Sequence, residues 1–307
     1  MPEPTKIPII MDVDTGVDDA AAIALAVRLP QLDLIGVTTV AGNVDVERTT
    51  ENSLRVLSAL GCSSVPVYRG MSRPLARAYH DASEFHGASG VGDAEFAPST
   101  ASAESMTAPE YIVQTLRARP GEVTLVCVAP LTNIAVALAL EPDLPKLAKR
   151  VVIMGGAFLC RGNTTAYAEY NIWADPEAGA IVANSALPIT FIGLDVTHRA
   201  PFLKEHWESL VHRTETEPKM IYDLFRRSFV FRGRSEFPLH DPLAVAVVAF
   251  PDLVTTERWG VTVEAGIGDE FGRTCLVKQP ESSQHQVAVA VKTDEFIDLF
   301  RRTLALV

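Results

Sequence analysis

The segment Asp12-Val13-Asp14-Thr15-Gly16-Val17-Asp18-Asp19 places four carboxylates in eight positions. Charges of one sign packed this closely repel one another unless a cation sits among them. An all-oxygen donor set suits a hard ion such as Ca²⁺ or Mg²⁺ and not zinc. Gly16 is expected to permit a tight backbone turn. Asp18 and Asp19 open an Ala-rich stretch that runs to Pro30. There they fall in the first turn of a helix, where negative charge is favoured. A helix N-terminus accounts for those two carboxylates but leaves Asp12 and Asp14 unexplained, so a metal site is the expectation.

Three further segments carry polar residues where strands end. His240-Asp241-Pro242 precedes the apolar run Leu243–Phe250. Asp241 is expected as the N-cap, with Pro242 at the first helical position. A His-Asp pair facing an acidic loop would also supply one more metal ligand and a proton donor. Met154-Gly155-Gly156 is followed by Gly162-Asn163 and Ala168-Glu169-Tyr170-Asn171. Amides and a carboxylate of this kind suit a sugar's hydroxyls, or simply a polar surface loop. Ala41-Gly42-Asn43 ends another strand with an amide.

These residues must be positioned by a fold, and the pattern says which. Short apolar runs at Ile7–Val13, Leu34–Val40, Val65–Tyr68, Glu122–Val128, Arg150–Met154 and Ile189–Leu194 alternate with helical segments such as Asp45–Leu60. That alternation indicates βαβ units. The expected fold is α/β: a Rossmann-like, mostly parallel central sheet flanked by helices. Additional antiparallel strands are expected at Trp259–Val263, Arg273–Val277 and Gln286–Val291, followed by a helix over Asp294–Leu304. Residues 69–108 read as long loops, and Thr197–Phe237 as a helical, aromatic-rich excursion. In such sheets ligands bind at the carboxyl ends of the strands, where all four polar segments lie.

Composition sets the bounds. The chain has 307 residues, of which 48% are hydrophobic and 21% charged, with a net charge of −11. Length alone admits two domains, but no linker or repeat is visible, so one domain over residues 1–307 is expected. The acidic balance disfavours nucleic acid and anionic membrane surfaces as partners. No apolar run reaches the roughly 18 residues of a membrane span. Met1–Lys6 is polar and the apolar stretch Ile7–Met11 is short, so a cytoplasmic protein is expected. Cys62, Cys127, Cys160 and Cys275 are scattered without metal-ligand spacing and read as buried thiols.

Taken together, the motifs resemble the nucleoside hydrolases, which cleave ribonucleosides to base and ribose. D-x-D-x-G-x-D-D at Asp12–Asp19 resembles the family's signature. V-T-T-V-A-G-N at Val37–Asn43, H-G-x-x-G-x-G-D at His86–Asp93, P-L-T-N-I-A at Pro130–Ala135 and V-I-M-G-G at Val152–Gly156 follow in family order. So do G-N-x-x-x-x-A-E-Y-N at Gly162–Asn171, D-P-E-A at Asp175–Ala178, G-L-D-V-T-H at Gly193–His198 and H-D-P at His240–Pro242. The similarity runs from about residue 7 to about residue 290.

The resemblance implies one Ca²⁺ per subunit, held by Asp14, Asp19, Asp241 and the backbone carbonyl of Val128. It implies that Asp14 is the general base acting on a metal-bound water. Asp18 and Asn43 match ribose-binding residues; Asn163, Glu169 and Asn171 match those holding the rest of the sugar; Met154 matches a residue packed against it. Asp12 would support the site from behind. His240 matches the residue that assists the departing base, and His86 is a second histidine expected near it. Some relatives carry a Tyr before the His-Asp pair, where this chain has Ser228–Phe237 (SFVFRGRSEF). Phe231 or Arg232 is the expected contact with the base instead, and purine or pyrimidine preference stays open. The implied assembly is a homodimer or homotetramer. Two other readings compete: a Mg²⁺-dependent phosphatase of the haloacid dehalogenase type, whose D-x-D-x-[TV] pattern fails at Gly16, and a non-catalytic nucleoside- or sugar-binding module. An EF-hand is excluded, because Gly16 occupies the position that needs Asp or Asn.

Overall fold

The computed structural model describes residues 6–92, 94–278 and 285–307, so Asp93 of the His86–Asp93 motif lies outside the described residues. Its strands in chain order are β1 (Ile7–Val13), β2 (Leu32–Thr39), β3 (Val67–Arg69), β4 (Thr124–Cys127), β5 (Arg150–Met154), β6 (Ile189–Ile192), β7 (Pro201–Leu203), β8 (Glu236–Pro238), β9 (Val254–Arg258), β10 (Gly260–Val263), β11 (Thr274–Val277) and β12 (Gln286–Val291). Eight of them form one sheet in the order β3-β2-β1-β4-β5-β6-β12-β9. Every pairing in it is parallel except β12 with β9.

The strands are apolar without alternation because both faces are covered. Successive side chains leave a strand on opposite sides. Ile9, Met11 and Val13 of β1 accordingly join one core cluster, together with Val126, Val152 and Ile192. Ile10 joins the other, with Leu125, Val151, Ile153 and Phe191. The first cluster takes in the helices Val17–Arg28, His240–Ala249 and Thr293–Thr303. The second takes in Ala108–Ala118, Thr132–Leu140 and Pro176–Ala183.

Two expectations are corrected in the C-terminal part. β10 and β11 pair with each other in a separate antiparallel sheet, while β12 inserts into the main sheet beside β6 and is parallel to it. β9 supplies the antiparallel edge, and its half-exposed, polar sequence VTTER hid it as a strand. The excursion between Thr197 and Phe237 is helical over Lys204–Glu208 and Thr216–Arg226, as its composition suggests. It also contains the β7–β8 pair and a π-helical turn at Arg227–Phe231.

The direction of winding reverses between β1 and β4: strands β2 and β3 lie on one side, β5 and β6 on the other. A crevice opens at the carboxyl ends of strands where such a switch occurs. Asp14 follows β1 and Val128 follows β4, so both sit at that point.

Candidate active site

A cavity of about 520 Å³ lies over the switch point. Asp14, Asp18, Asn43, His86, Val128, Met154, Asn163, Glu169, Asn171, His240 and Asp241 all line it. Every site residue expected from the sequence is thus at this cavity except Asp19, which lies beneath it with no exposed surface.

The carboxylates converge because two helix N-termini do. The helices Val17–Arg28 and His240–Ala249 pack together. Asp18 and Asp19 occupy the first turn of one, Asp241 the first turn of the other. The N-cap of the second helix is Leu239, which puts Asp241 and Pro242 inside the first turn and corrects the capping expectation. Asp241 has therefore no capping duty there. Carboxylate oxygens of Asp18, Asp19 and Asp241 lie within 4.8 Å of one another, a group that can hold a metal ion.

Each member has a distinct environment. Asp19 accepts three hydrogen bonds: its Oδ1 accepts the Asp14 backbone N–H at 3.1 Å, and its Oδ2 accepts from Gly16 N at 2.9 Å and Asn43 Nδ2 at 3.1 Å. Asp14 Oδ2 accepts the Asn43 backbone N–H at 2.7 Å, while its Oδ1 is buried without a partner among the described residues. A buried carboxylate oxygen left in this state is costly unless something else satisfies it. Burial, compounded by the charges of Asp19 and Asp18, pushes the Asp14 carboxyl well above its ordinary range. Burial and the Asp19 charge raise Asp18 to about 7; burial raises Asp19 to about 6. Asp241 is driven well up by burial and by the Asp18 and Asp19 charges. A divalent cation among these oxygens would supply the missing counter-charge.

Asp12 faces away from the cavity. Its Oδ1 accepts from Thr38 Oγ1 at 2.6 Å and Asn133 Nδ2 at 2.8 Å. Asn133 belongs to the Pro130–Ala135 motif, and this bond ties the helix after β4 back to β1. Burial raises Asp12 to about 7.

Gly16 has φ −101° and ψ −156°, extended backbone open to any residue, which corrects the tight-turn expectation. The need for glycine is spatial: a Cβ there would lie 2.5 Å from His86 Nδ1 and 2.6 Å from Asn43 Nδ2. His86 Nδ1 accepts the Val17 backbone N–H at 3.1 Å, so its ring proton sits on Nε2. Burial, then the Arg232 charge, depress His86 to about 3.

The sugar-type donors form a second wall. Glu169 caps the helix Tyr170–Ala174, accepting from Asn171 N at 2.8 Å and Ile172 N at 3.2 Å, and also takes Gly156 N at 3.1 Å. Burial still raises its carboxyl to about 7. Asn171 Nδ2 donates to the carbonyl oxygens of Val128 and Met154, both at 3.1 Å. Asn163 is exposed at the rim, where its Oδ1 accepts the Tyr170 backbone N–H at 3.0 Å.

His240 Nδ1 is hydrogen-bonded to Thr197 Oγ1 at 2.8 Å. Burial and the neighbouring His198, Arg234 and His86 charges lower its imidazole to about 3. Of the residues that replace a tyrosine near the base, Phe229 is in the core against Trp207, Phe231 points to solvent and Arg232 lines the cavity.

The sequence reading did not single out Phe85, Tyr170, Trp173, His198 or Arg234 as cavity residues, yet all line it. Phe85, Tyr170, Trp173 and His198 fall in or beside motifs without having been assigned a role themselves, and Arg234 falls in the Ser228–Phe237 segment, of which only Phe231 and Arg232 were expected at the base. Other motif residues turn out to be scaffolding. Asp195 takes the backbone N–H groups of Phe158 and Leu159, and Asp175 takes those of Leu75 and Ala178 and the Thr132 hydroxyl.

The family model described as inosine-uridine preferring nucleoside hydrolase matches residues 9–298. The pyrimidine-specific ribonucleoside hydrolase RihB of Escherichia coli (strain SE11) is 37% identical, with 94% of each chain covered. A purine-preferring ribonucleoside hydrolase from Gardnerella vaginalis superposes with TM-score 0.92 at 33% identity, covering 97% of this chain and 98% of that one. The plant nucleoside hydrolase PpNRh1 also gives TM-score 0.92, at 30% identity over 98% of this chain and 99% of its own.

Proposed function

The chain belongs to the inosine-uridine preferring nucleoside hydrolase family, and on that premise we propose how its own residues carry the reaction. It is a ribonucleoside hydrolase, which cleaves the N-glycosidic bond to give free base and ribose; the phosphatase and non-catalytic readings fall away.

Asp14, Asp19, Asp241 and the Val128 carbonyl hold one Ca²⁺ per subunit, with Asp18 beside them. The buried Asp14 Oδ1, which has no partner among the described residues and lies next to the Asp18–Asp19–Asp241 cluster, is the observation that carries this assignment. The all-oxygen donor set favours Ca²⁺ over softer ions. A Ca²⁺ held there would supply a Lewis acid that lowers the pKa of a water beside Asp14.

The chain's residues do the rest. Asp14, ionised beside the bound cation, takes the proton from the attacking water. Asp18 and Asn43 bind the ribose hydroxyls, and Asn163, Glu169 and Asn171 hold the remainder of the sugar with Met154 packed against it. The ring of carboxylates and amide oxygens stabilises the positive charge that develops on the ribosyl group. The base departs with the electron pair of the broken bond. His240 meets it as a neutral imidazole, because burial keeps the ring unprotonated near pH 7. When the Thr197 hydroxyl donates to Nδ1, the ring proton is carried on Nε2. His86 flanks the same region.

The two core clusters on the eight-stranded sheet draw on residues between Ile9 and Leu306, which supports a single domain. No helix among the described residues is long and apolar enough to cross a membrane; with the acidic balance, this supports a cytoplasmic enzyme acting on small molecules. Leu140 and Ile181 stand exposed on two helices that pack together, surface that a second copy would cover in a homodimer or homotetramer.

Incubation with uridine, inosine, cytidine and adenosine tests the assignment, with ribose release measured before and after chelation. Release that is lost on chelation and restored by Ca²⁺ supports it. Release that survives exhaustive chelation overturns the metal role.

A further inference from the structure

The carboxylate of Asp14 is held by the peptide group that joins Gly42 to Asn43, and two tyrosines hold that peptide. Its N–H donates to Asp14 Oδ2 at 2.7 Å. Its carbonyl oxygen accepts the Tyr170 hydroxyl at 2.8 Å and, over a longer bond, the Tyr79 hydroxyl at 3.3 Å. The backbone comes right up to the carboxylate: a Cβ on Gly42 would lie 2.1 Å from Asp14 Oδ2. Glycine lets the peptide reach Asp14, but it brings no side chain of its own to hold the peptide there. The hydroxyls supply that hold.

Both phenols are donors. Burial, then the Asp14 charge, push the Tyr170 hydroxyl well above its ordinary range. Burial, with the Asp81, Asp45 and Asp14 charges, does the same to Tyr79. A hydroxyl bonded to a carbonyl polarises the peptide, and the polarised N–H binds a carboxylate more strongly. The chain of bonds thus fixes Oδ2 and leaves Oδ1 without a partner among the described residues. The two tyrosines come from different parts of the cavity. Tyr170 stands between Glu169 and Asn171 at the start of the helix Tyr170–Ala174, and its backbone N–H donates to Asn163 Oδ1 at 3.0 Å. Tyr79 lies on the loop that leads to Ser83–His86. The Tyr170 hydroxyl also reaches the His80 carbonyl at 3.2 Å, and the Asn43 carbonyl accepts the Ala82 N–H at 3.0 Å. The wall of sugar-type donors, this loop and the strand end after β2 are therefore fastened together at Gly42 and Asn43.

Resting on the ribonucleoside hydrolase reading, we propose that Tyr170, assisted by Tyr79, is a positioning residue for the reaction. It orients the Gly42–Asn43 peptide and, through that peptide, the Asp14 carboxylate that takes the proton from water. Neither hydroxyl meets the reacting atoms in this role. Without them the peptide is free to tip, Oδ2 loses a well-aligned donor, and the carboxylate can turn away from its working direction. A proton acceptor displaced by a fraction of an ångström loses much of its effect. Outer partners of this kind contribute about 10–100-fold in metal affinity or activity.

The test is Tyr170→Phe in the full-length enzyme at saturating Ca²⁺, with the best of uridine, inosine, cytidine and adenosine as substrate. The variant keeps the ring and its place beside Trp173, 6.2 Å away. We expect kcat to fall about tenfold with KM within about twofold, and Ca²⁺ binding to the substrate-free protein, followed by calorimetry, to weaken about tenfold. In an Asp14→Asn background the same change should move kcat by less than about twofold, because the group it positions is gone. A merely structural role would lower kcat by the same factor in both backgrounds. Tyr79→Phe, at the longer bond, should show the same pattern with a smaller loss, and it carries the test where Tyr170→Phe does not fold. Wild-type kcat and Ca²⁺ affinity in both variants, a loss confined to KM, or an equal loss with and without the Asp14 carboxylate would each overturn the inference and leave the hydrolase reading standing. Failure of the wild type to release ribose from any of the four nucleosides would overturn that reading instead.

Discussion

Asp19 accepts the backbone N–H of Asp14 at 3.1 Å, and Asp14 keeps one buried carboxylate oxygen without a partner among the described residues. One carboxylate is spent on holding the loop, and the other is held open by it. This division of labour between residues five apart underlies the predictions for the acidic floor.

Asp14→Asn removes the proton acceptor while keeping shape and most of the donor set. Turnover is expected to fall by about 10²–10⁴-fold, with Ca²⁺ binding by calorimetry weakened far less. Unchanged turnover would refute the general-base role.

Stability of the metal-free protein should depend on pH in a defined sense. Burial lifts Asp12 and Asp18 to about 7 and Asp19 to about 6, against 3.8 in the unfolded chain. Below pH 3.8 both states bind these protons and the contribution is fully present. As pH rises through 6 to 7 the native state must ionise buried groups, and the contribution is lost. Melting of chelator-treated enzyme should therefore move down by several degrees between about pH 5 and pH 8. Added Ca²⁺ should stabilise most at the upper end. A melting temperature that rises across this range would contradict the argument.

Gly16→Ala places a methyl group against His86 and Asn43 without straining the backbone. The expected cost is about 1–3 kcal/mol, read from denaturant midpoints. A neutral effect would mean that His86 can move aside freely.

Thr197→Val removes the hydroxyl that fixes the His240 ring. A loss of about tenfold in kcat with KM nearly constant is expected for a group that positions the leaving-group donor. An equal loss in Thr197→Ser, which retains the hydroxyl, would show that packing and not the hydrogen bond is responsible.

Much of this was legible in the chain itself. Predominantly apolar runs at Ile7–Val13 and Arg150–Met154 call for a sheet covered on both faces, and the fold contains that sheet. β9 escaped because an edge strand exposes half its residues and need not be apolar. The direction of β12 was equally hidden, since register and neighbour depend on what the rest of the sheet leaves open.

The sequence by itself determined the chemical inventory: four carboxylates in eight residues, an Asn-Glu-Asn set and a His-Asp pair. Local types and spacing suffice for that, because strand ends and helix starts are short-range features. Only the tertiary structure decided which carboxylates meet. Asp241 is more than two hundred residues from Asp18 and reaches it because two buried helices pack side by side. It also decided that Asp19 accepts from the Asp14 and Gly16 amides and the Asn43 side chain, that Gly16 is demanded by a neighbour's ring, and that Arg232 and Arg234 meet over the ring of Phe85. Partnership between groups far apart in the chain depends on packing, and no local pattern encodes it.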